Sequence, residues 1–101
     1  MNMQRKGPQL FPSDQRRLKD LGERFRLARL RRKFAMEMVA TRAGISRTTL
    51  YKVERGDPAV TLGVYLRVLA VYGLSEEVDR IAADDALGRR LQDLALLPDR
   101  S

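Results

Sequence analysis

The sequence predicts an all-α protein, and three observations lead to this prediction. Apolar residues recur at three- and four-residue steps, as in the series Leu18, Leu21, Phe25 and Ala28. Ser, Thr or Asp precedes most such stretches and glycine follows them, which is typical of short helices. No segment alternates apolar and polar residues over the length of a strand. With 101 residues, 44% of them hydrophobic and 33% charged, the chain fits one small globular domain.

The first half of the chain is divided as follows. Residues 1–12 are predicted to form a flexible basic arm because they combine glycine, proline and little periodicity. Ser13 is expected to cap a first helix that ends near Arg32. A second helix runs from about Met36 to Ala43, and Gly44 stops it, since glycine accepts the left-handed conformation that often follows a helix.

The same signals place four further helices. Ser46 is expected to cap a third helix over residues 47–55, which Gly56 closes, and "GDPA" is read as a turn. Thr61 caps a fourth helix over residues 62–72, ended by Gly73. The last two predicted helices run from Ser75 to about Ala82 and from an Asp84 cap through Leu94. This gives a body of residues 13–82, with a helix-turn-helix at about 36–55, and residues 83–101 as a C-terminal helix and candidate partner-binding tail.

Composition excludes several function classes. The chain has no Cys and no His, so disulfides, thiolate chemistry, the usual general base and the commonest metal ligands are absent. We therefore predict no catalytic residues, no metal site and no cofactor. The longest apolar run, "VLAVY", is far too short to cross a bilayer, and no secretory leader is evident. A cytoplasmic protein that is not an enzyme is expected.

Charge is distributed unevenly along the chain. Residues 1–60 hold 15 Lys/Arg and 6 Asp/Glu, a net charge of +9, whereas residues 61–101 hold 5 and 7, a net charge of −2. A basic first half favours a polyanionic partner such as nucleic acid. A solvated basic surface without such a partner is the alternative, and charge by itself does not decide between them.

The second and third helices have the features of a helix-turn-helix. Ala40 is small where the helices would cross, and Gly44 lies in the turn. Apolar contacts would come from Val39, Ala43, Ile45, Leu50 and Val53. An ordinary pair of antiparallel helices is the alternative.

The third helix presents a polar face opposite Leu50 and Val53. This face carries Thr48, Tyr51, Lys52 and Arg55, with Arg47 on its flank. It holds three cations, a hydroxyl and an aromatic ring, and no acid. Arginine can pair bidentately with guanine, and a threonine methyl can contact a thymine methyl. The face therefore favours double-stranded DNA as the partner.

Glu54 is the one acid of the third helix, and it lies beside the apolar stripe. A partly buried carboxylate needs a partner, and Arg29, late in the first helix, can supply one. We predict a structural ion pair between Arg29 and Glu54. A catalytic role for Glu54 is not supported, since no second titratable group accompanies it at acid–base spacing.

The segment from "LGERF" at residue 21 to "VYGL" at residue 74, about half the chain, resembles the XRE/Cro-type helix-turn-helix family of phage repressors and bacterial regulators. "AGISRTTLYKVERG" is the specific part of this resemblance. It implies a five- to six-helix, lambda-repressor-like domain that binds operator DNA as a homodimer. It also implies base contacts by Arg47, Thr48, Thr49 and Lys52. Positions on or next to the DNA backbone fall on Ser46, Tyr51, Arg55, Met36 and Arg42.

One departure from the family pattern affects phosphate binding. Family members often open the second helix with a Ser/Thr cap and Gln, but Ala35 and Met36 stand here. Helix N-terminal amides can still bind phosphate. Phosphate anchoring is therefore expected to depend on basic residues elsewhere, namely Arg31, Arg32, Lys33, Arg42 or the N-terminal arm.

The later part, "GDPAVTLGVYLRVLAVYGL" followed by "DDALGRRLQDLALLPDR", is similar to HipB-type antitoxins. The similarity implies a HipA-type kinase toxin as partner, restrained while the complex represses its own operon. A stand-alone XRE-family regulator without a toxin partner is the alternative. Non-specific nucleic-acid packaging is less favoured, because aromatic residues are scarce and no Gly/Arg-rich tract is present.

The fourth helix is apolar nearly all round, with Arg67 its one charged residue. A helix of this kind is buried on more than one face. We expect part of the set Val64, Val68, Val71 and Tyr72 to face another chain, most simply a second copy. In the alternative, the fourth helix is central to its own domain and is covered by the last helices.

Overall fold

The computed structural model describes residues 9–97, which form five α-helices and one 3₁₀-helix. In chain order they are α1 (Pro12–Arg31), α2 (Met36–Ala43), α3 (Arg47–Arg55), α4 (Leu62–Tyr72), the 3₁₀-helix (Ser75–Arg80) and α5 (Ala86–Ala95). The all-α prediction is confirmed. Most of the predicted arm, residues 1–8, and the last four residues of the predicted tail lie outside the described residues. Within residues 9–97, no helix is long and apolar enough to span a membrane.

The start of α1 differs from the prediction. Phe11, not Ser13, is the N-cap residue, and Pro12 occupies the first turn. Proline is well suited to this position, because its φ is already helical and its missing N–H would have had no partner there. The Phe11 carbonyl accepts from the Asp14 N–H at 2.9 Å, so the first turn closes without a side-chain cap. The predicted Ser13 cap is therefore wrong.

The bounds predicted for α2, α3 and α4 are confirmed, together with their caps. Ser46 Oγ accepts from the Thr49 N–H at 3.0 Å, and Thr61 Oγ1 accepts from the Val64 N–H at 3.2 Å. The three closing glycines, Gly44, Gly56 and Gly73, all take the left-handed conformation, with φ of 70°, 72° and 75°. Local polar signals thus determine where these helices begin and end.

The last two elements differ from the prediction in type and bounds. Residues Ser75–Arg80 form a 3₁₀-helix rather than an α-helix to Ala82, and no side chain caps it. None of its residues is buried, so tertiary packing does little to hold a regular α-helix there. Asp85, not Asp84, caps α5, since Asp85 Oδ1 accepts from the Gly88 N–H at 2.9 Å.

A single core lies between α1, α2, α3 and α4. Its fully buried side chains are Leu50, Val39, Val53 and Val68. Aromatic rings extend the core along α1 and α4, with Phe25 edge-on to Tyr65 at a centroid distance of 5.2 Å. The four helices together hold α3 in place with one face turned away from the core.

The predicted interface on α4 needs correction. Val68 is completely buried and Tyr72 is 5% exposed, both within the chain's own core, so the prediction that they face another chain is wrong. Val64 and Val71 are half-buried against the same core. The alternative, an α4 central to its own domain, describes its burial better. However, α4 is covered by α1, α2 and the 3₁₀-helix. The last helix, α5, does not contribute to this cover, because none of its residues is buried.

Candidate nucleic-acid interface

The turn between α2 and α3 is formed by residues 44–46. At its start, the Ile45 N–H bonds to the Ala40 carbonyl at 3.0 Å and the Gly44 N–H to that of Thr41 at 3.1 Å. These bonds satisfy carbonyls at the end of α2, and the left-handed Gly44 reverses the chain. The side chains of Val39, Ala40 and Leu50 are buried between the two helices. The structure therefore contains the predicted helix–turn–helix geometry.

Two glycines bring α1 and α3 into backbone contact. A Cβ atom on Gly22, in the middle of α1, would lie 2.7 Å from the carbonyl oxygens of Val53 and Glu54 and from the Gly56 nitrogen. A Cβ on Gly56 would in turn overlap the backbone of Leu18. Any side chain at Gly22 would push the end of α3 away from α1. The glycine within an otherwise helical pattern, "LGERF", was a signal of this contact that the sequence analysis did not use.

The ion pair predicted between Arg29 and Glu54 is present. Arg29 Nε donates to Glu54 Oε2 at 2.7 Å, and Arg29 Nη2 donates to Glu54 Oε1 at 3.1 Å. The ion pair is therefore bidentate. The side chains are 11% and 6% exposed, and Arg29 Nη1 also donates to the Phe34 carbonyl at 3.2 Å. The hydrogen bonds that Arg29 donates to the Glu54 carboxylate raise the pKa of Arg29 above its ordinary value. Arg29 thus connects α1, α3 and the segment before α2.

With its inner face fixed, α3 exposes the predicted polar face. Arg47, Thr48, Tyr51, Lys52 and Arg55 are all exposed. Because Glu54 points inward to Arg29, this face carries three cations and no carboxylate. Such a surface attracts phosphate and presents donors suited to base edges.

Tyr51 and Arg55 act as a unit on this face. The Arg55 guanidinium carbon lies 5.1 Å from the centre of the Tyr51 ring, a cation–π contact. The contact holds the arginine along the helix while the ring remains 52% exposed. The four-residue spacing was a readable signal for this pairing that the sequence analysis did not use.

Ser46 and Thr49 form the N-terminal cap of α3. Ser46 Oγ accepts from the Thr49 N–H and donates to Thr49 Oγ1, both at 3.0 Å. Thr49 is half-buried, at the edge of the exposed face. These two residues therefore fix the start of the helix, next to Arg47 and Thr48.

Some of the residues expected to anchor phosphate are exposed, and others are packed within the structure. Met36 is half-buried with its side chain packed against the core, so the part of this residue available to a phosphate is its backbone amide at the start of α2. Arg32 donates to the Ala28 carbonyl at 2.9 Å and lies over the Tyr72 ring, and thus has a structural role. Arg31, Lys33 and Arg42 are exposed. Lys33 has a positive φ of 56° in the turn after α1.

Arg67 is a structural residue whose role the sequence analysis missed. Its Nη1 donates to the Ala43 carbonyl at 3.1 Å, at the C-terminal end of α2. A cation at this end of a helix also interacts favourably with the helix dipole. The one charge on α4 therefore ties this helix to the turn of the helix-turn-helix.

The comparison with known families agrees with this geometry. A family model described as helix-turn-helix domain matches residues 20–81, well over half of the chain. The chain belongs to this helix-turn-helix family, and the matched range covers most of α1, all of α2 to α4 and the 3₁₀-helix. A search of curated proteins finds no match. The protein is thus of the DNA-binding regulator class that the helix-turn-helix defines.

Proposed function

We propose that the protein is a sequence-specific transcriptional repressor of the XRE type, which binds a palindromic operator as a homodimer and has no catalytic activity. The observation that carries this proposal is the exposed cationic face of α3, held on a fully packed inner face. Arg47, Thr48 and Lys52 contact bases in the major groove, with Thr49 at the edge of the contact. Such binding would place the protein at the nucleoid, in the cytoplasm.

Phosphate contacts position α3 rather than specify sequence. We assign them to Arg55 with its Tyr51 partner, to Arg42 on α2, and to the start of α3 near Ser46. Arg31 and Lys33, exposed after α1, extend the basic surface. The backbone amides at the start of α2 supplement these side chains, since Met36 itself faces the core.

Footprinting on the protein's own promoter, followed by binding titrations, tests the proposal. Arg47→Ala is expected to weaken binding to the footprinted site by about 1–3 kcal/mol and to relax base preference there. Arg55→Ala should weaken binding to all DNA sequences alike, and should reduce the slope of log K against log salt concentration by about one. Arg80→Ala, exposed on the 3₁₀-helix, is the charge-matched control and should leave both unchanged. Equal weakening of cognate and random DNA by Arg47→Ala would contradict base reading.

The second part of the proposal is that the repressor is also the antitoxin of a HipA-type kinase. Its support is the HipB-like tail sequence and the net charge of −2 on residues 61–101. Co-expression with a kinase encoded next to this gene is expected to give a stable complex and loss of kinase toxicity. A kinase neighbour that neither binds nor is restrained would leave the stand-alone regulator as the better description.

A further inference from the structure

The C-terminal helix α5 carries an apolar stripe that its own chain does not cover. Leu87, Leu91 and Leu94 follow one another at helical spacing and are 68%, 57% and 62% exposed. The opposite face of α5 holds Arg89, Gln92 and other polar positions. A ten-residue helix with this pattern is marginal in water and gains stability by burying its apolar face.

The body has an open apolar groove of about 590 Å³. Its walls are α1, α4 and the 3₁₀-helix, and its lining includes Leu21, Leu62, Leu69, Val78 and Ile81. Leu62 is 59% exposed and Ile81 is 62% exposed, so the groove is open to solvent. Along α1 the groove extends from Leu18 to Arg31, or about 20 Å at the rise of an α-helix. The ten residues of α5 would occupy about 15 Å, which fits within this length.

We propose that α5 of one copy docks its leucine stripe into this groove of a second copy, and that the second copy returns the same contact. The proposal rests on the homodimer of the proposed function and names its contact surfaces. Both surfaces belong to one chain, so the exchange is symmetric and closes as a two-fold dimer. Two grooves and two helices are covered at once, and no apolar stripe is left open.

The link before α5 favours exchange over docking within one chain. Four residues, Ala82–Asp85, separate Ile81 at the groove from the first residue of α5. Ala82 has a φ of 60°, a strained conformation for alanine, and the Ala83 N–H bonds to the Arg80 carbonyl. Arg89 and Asp84 then pair at 3.1 Å across the start of α5. These contacts direct α5 away from its own groove, and short strained links favour exchange between copies.

The charges around the groove are also compatible with α5 of a second copy as its occupant. Arg24 and Arg31 line the groove on the α1 side, and Glu77 lines it on the 3₁₀-helix. The link and α5, residues 82–95, hold three carboxylates and two arginines, a net charge of −1. Asp84 and Asp85, directly before α5, lie in the part of the partner that would approach this basic rim.

Mass measurement in solution by light scattering, over a range of protein concentrations and without DNA, tests the proposal. The wild type is expected to have twice the 11.5 kDa chain mass. Leu91→Glu should give a monomer, whereas Gln92→Glu, with the same charge on the opposite face of α5, should stay dimeric. A monomeric wild type would overturn the proposal and leave α5 free for a different protein. A dimeric Leu91→Glu variant would also overturn it.

The groove is tested separately, because α5 could pair with α5 of another copy instead. Leu62→Glu, in the groove, is expected to give a monomer, and Leu30→Glu, exposed on α1 outside the groove, to stay dimeric. If Leu62→Glu stays dimeric, the groove is not the docking surface. Thermal unfolding checks that every variant is folded. These mass measurements contain no DNA, whereas DNA binding is tested by footprinting and titration. Failure of the dimer contact and failure of DNA binding would therefore appear in different experiments.

Discussion

The helix-turn-helix body and the C-terminal helix have the same kind of amphipathic pattern but opposite surroundings. In the body the apolar stripes of α1 to α4 meet one another, so that Leu50 and Val53 are fully buried. In α5 the leucines remain more than half exposed, although Asp85 caps that helix as Ser46 caps α3. Helical spacing therefore predicts that a helix forms and which side is apolar. The spacing does not predict whether the apolar side is buried by other parts of the same chain.

The two regions also differ in long-range polar contacts. Arg29 joins Glu54 across 25 residues, and Arg67 joins Ala43 across 24. The side-chain hydrogen bonds within α5 and its link, by contrast, span five residues or fewer. The body is thus a cooperative unit and α5 a local one, and the predictions below test this difference.

The largest expected effect is at the ion pair of the body. Glu54→Ala leaves the Arg29 guanidinium buried without its carboxylate and should lower the free energy of unfolding by about 3–5 kcal/mol. Denaturant unfolding followed by circular dichroism measures the loss. Asp93→Ala, which removes a carboxylate from α5, is the control and should change stability by less than about 0.5 kcal/mol. Similar losses in the two variants would contradict the distinction between body and tail.

A smaller loss is expected where α1 and α3 touch. Gly22→Ala places a Cβ 2.7 Å from backbone atoms of α3, which cannot move as a side chain can, and should cost about 1–3 kcal/mol. Gly63→Ala is the matched control in the same assay, because its Cβ would be 3.8 Å from the nearest atom, Thr61 Oγ1. Alanine there should stabilise α4 by up to about 1 kcal/mol. If Gly22→Ala left the free energy of unfolding unchanged, this result would contradict the close backbone contact between α1 and α3.

Alkaline pH should destabilise the body through Tyr72. Burial, with a contribution from the Glu54 charge, raises the pKa of Tyr72 from 10.0 to about 12. The folded state therefore holds this proton more tightly than the unfolded chain does. Its contribution to stability is complete below pH 10 and is lost as the pH rises through about 12. Tyr72→Phe should make the fall in unfolding free energy over this range shallower.

Tyr65→Phe is expected to act in the same direction, because burial raises the pKa of Tyr65 as well. Both hydroxyls are buried without a hydrogen-bond partner among the described residues, so neither replacement should destabilise the protein at pH 7. A series of unfolding titrations between neutral pH and pH 12 tests both points. An alkaline slope that is the same in both variants and the wild type would contradict this origin.

The smallest expected effect concerns the turn after α1. Lys33 has a φ of 56°, a conformation that costs a side-chain-bearing residue about 1–2 kcal/mol relative to a right-handed one. Lys33→Gly removes this cost but makes the unfolded chain more flexible, and we expect a net gain of up to about 1 kcal/mol. Lys19→Gly, in the middle of α1, should instead lose about 0.5–1 kcal/mol. Opposite signs in thermal unfolding would support the assignment, and a loss at Lys33→Gly would refute it.

Residues with local roles were predictable from the sequence. Ser46, Gly44 and Gly56 have short-range signals, and the structure uses them as expected. The Arg29–Glu54 pair was predictable for a different reason: a carboxylate beside an apolar stripe needs a partner, and Arg29, late in α1, can supply one.

Other features depend on tertiary contacts that no local signal fixes. Val68 and Tyr72 were expected at an interface, because the pattern of α4 does not show that α1 and α2 cover it. Met36 was expected near DNA by its place in the motif, and no local signal showed that its side chain packs on the core. The Ser75–Arg80 segment became a 3₁₀-helix, since it buries too little to hold an α-helix.

If α3 reads base sequence as proposed, the links from α1 to α3 would affect discrimination between DNA sequences. With Gly22 against Gly56 and Arg29 bonded to Glu54, a tilt of α3 towards an unfavourable base pair would break the ion pair or press backbone against backbone. A rigid reading helix loses little conformational freedom on binding, which favours affinity for the right site. At a wrong site, donors on the same helix would be desolvated without acceptors. The stiffness of the scaffold would thus appear as rejection of mismatched operators.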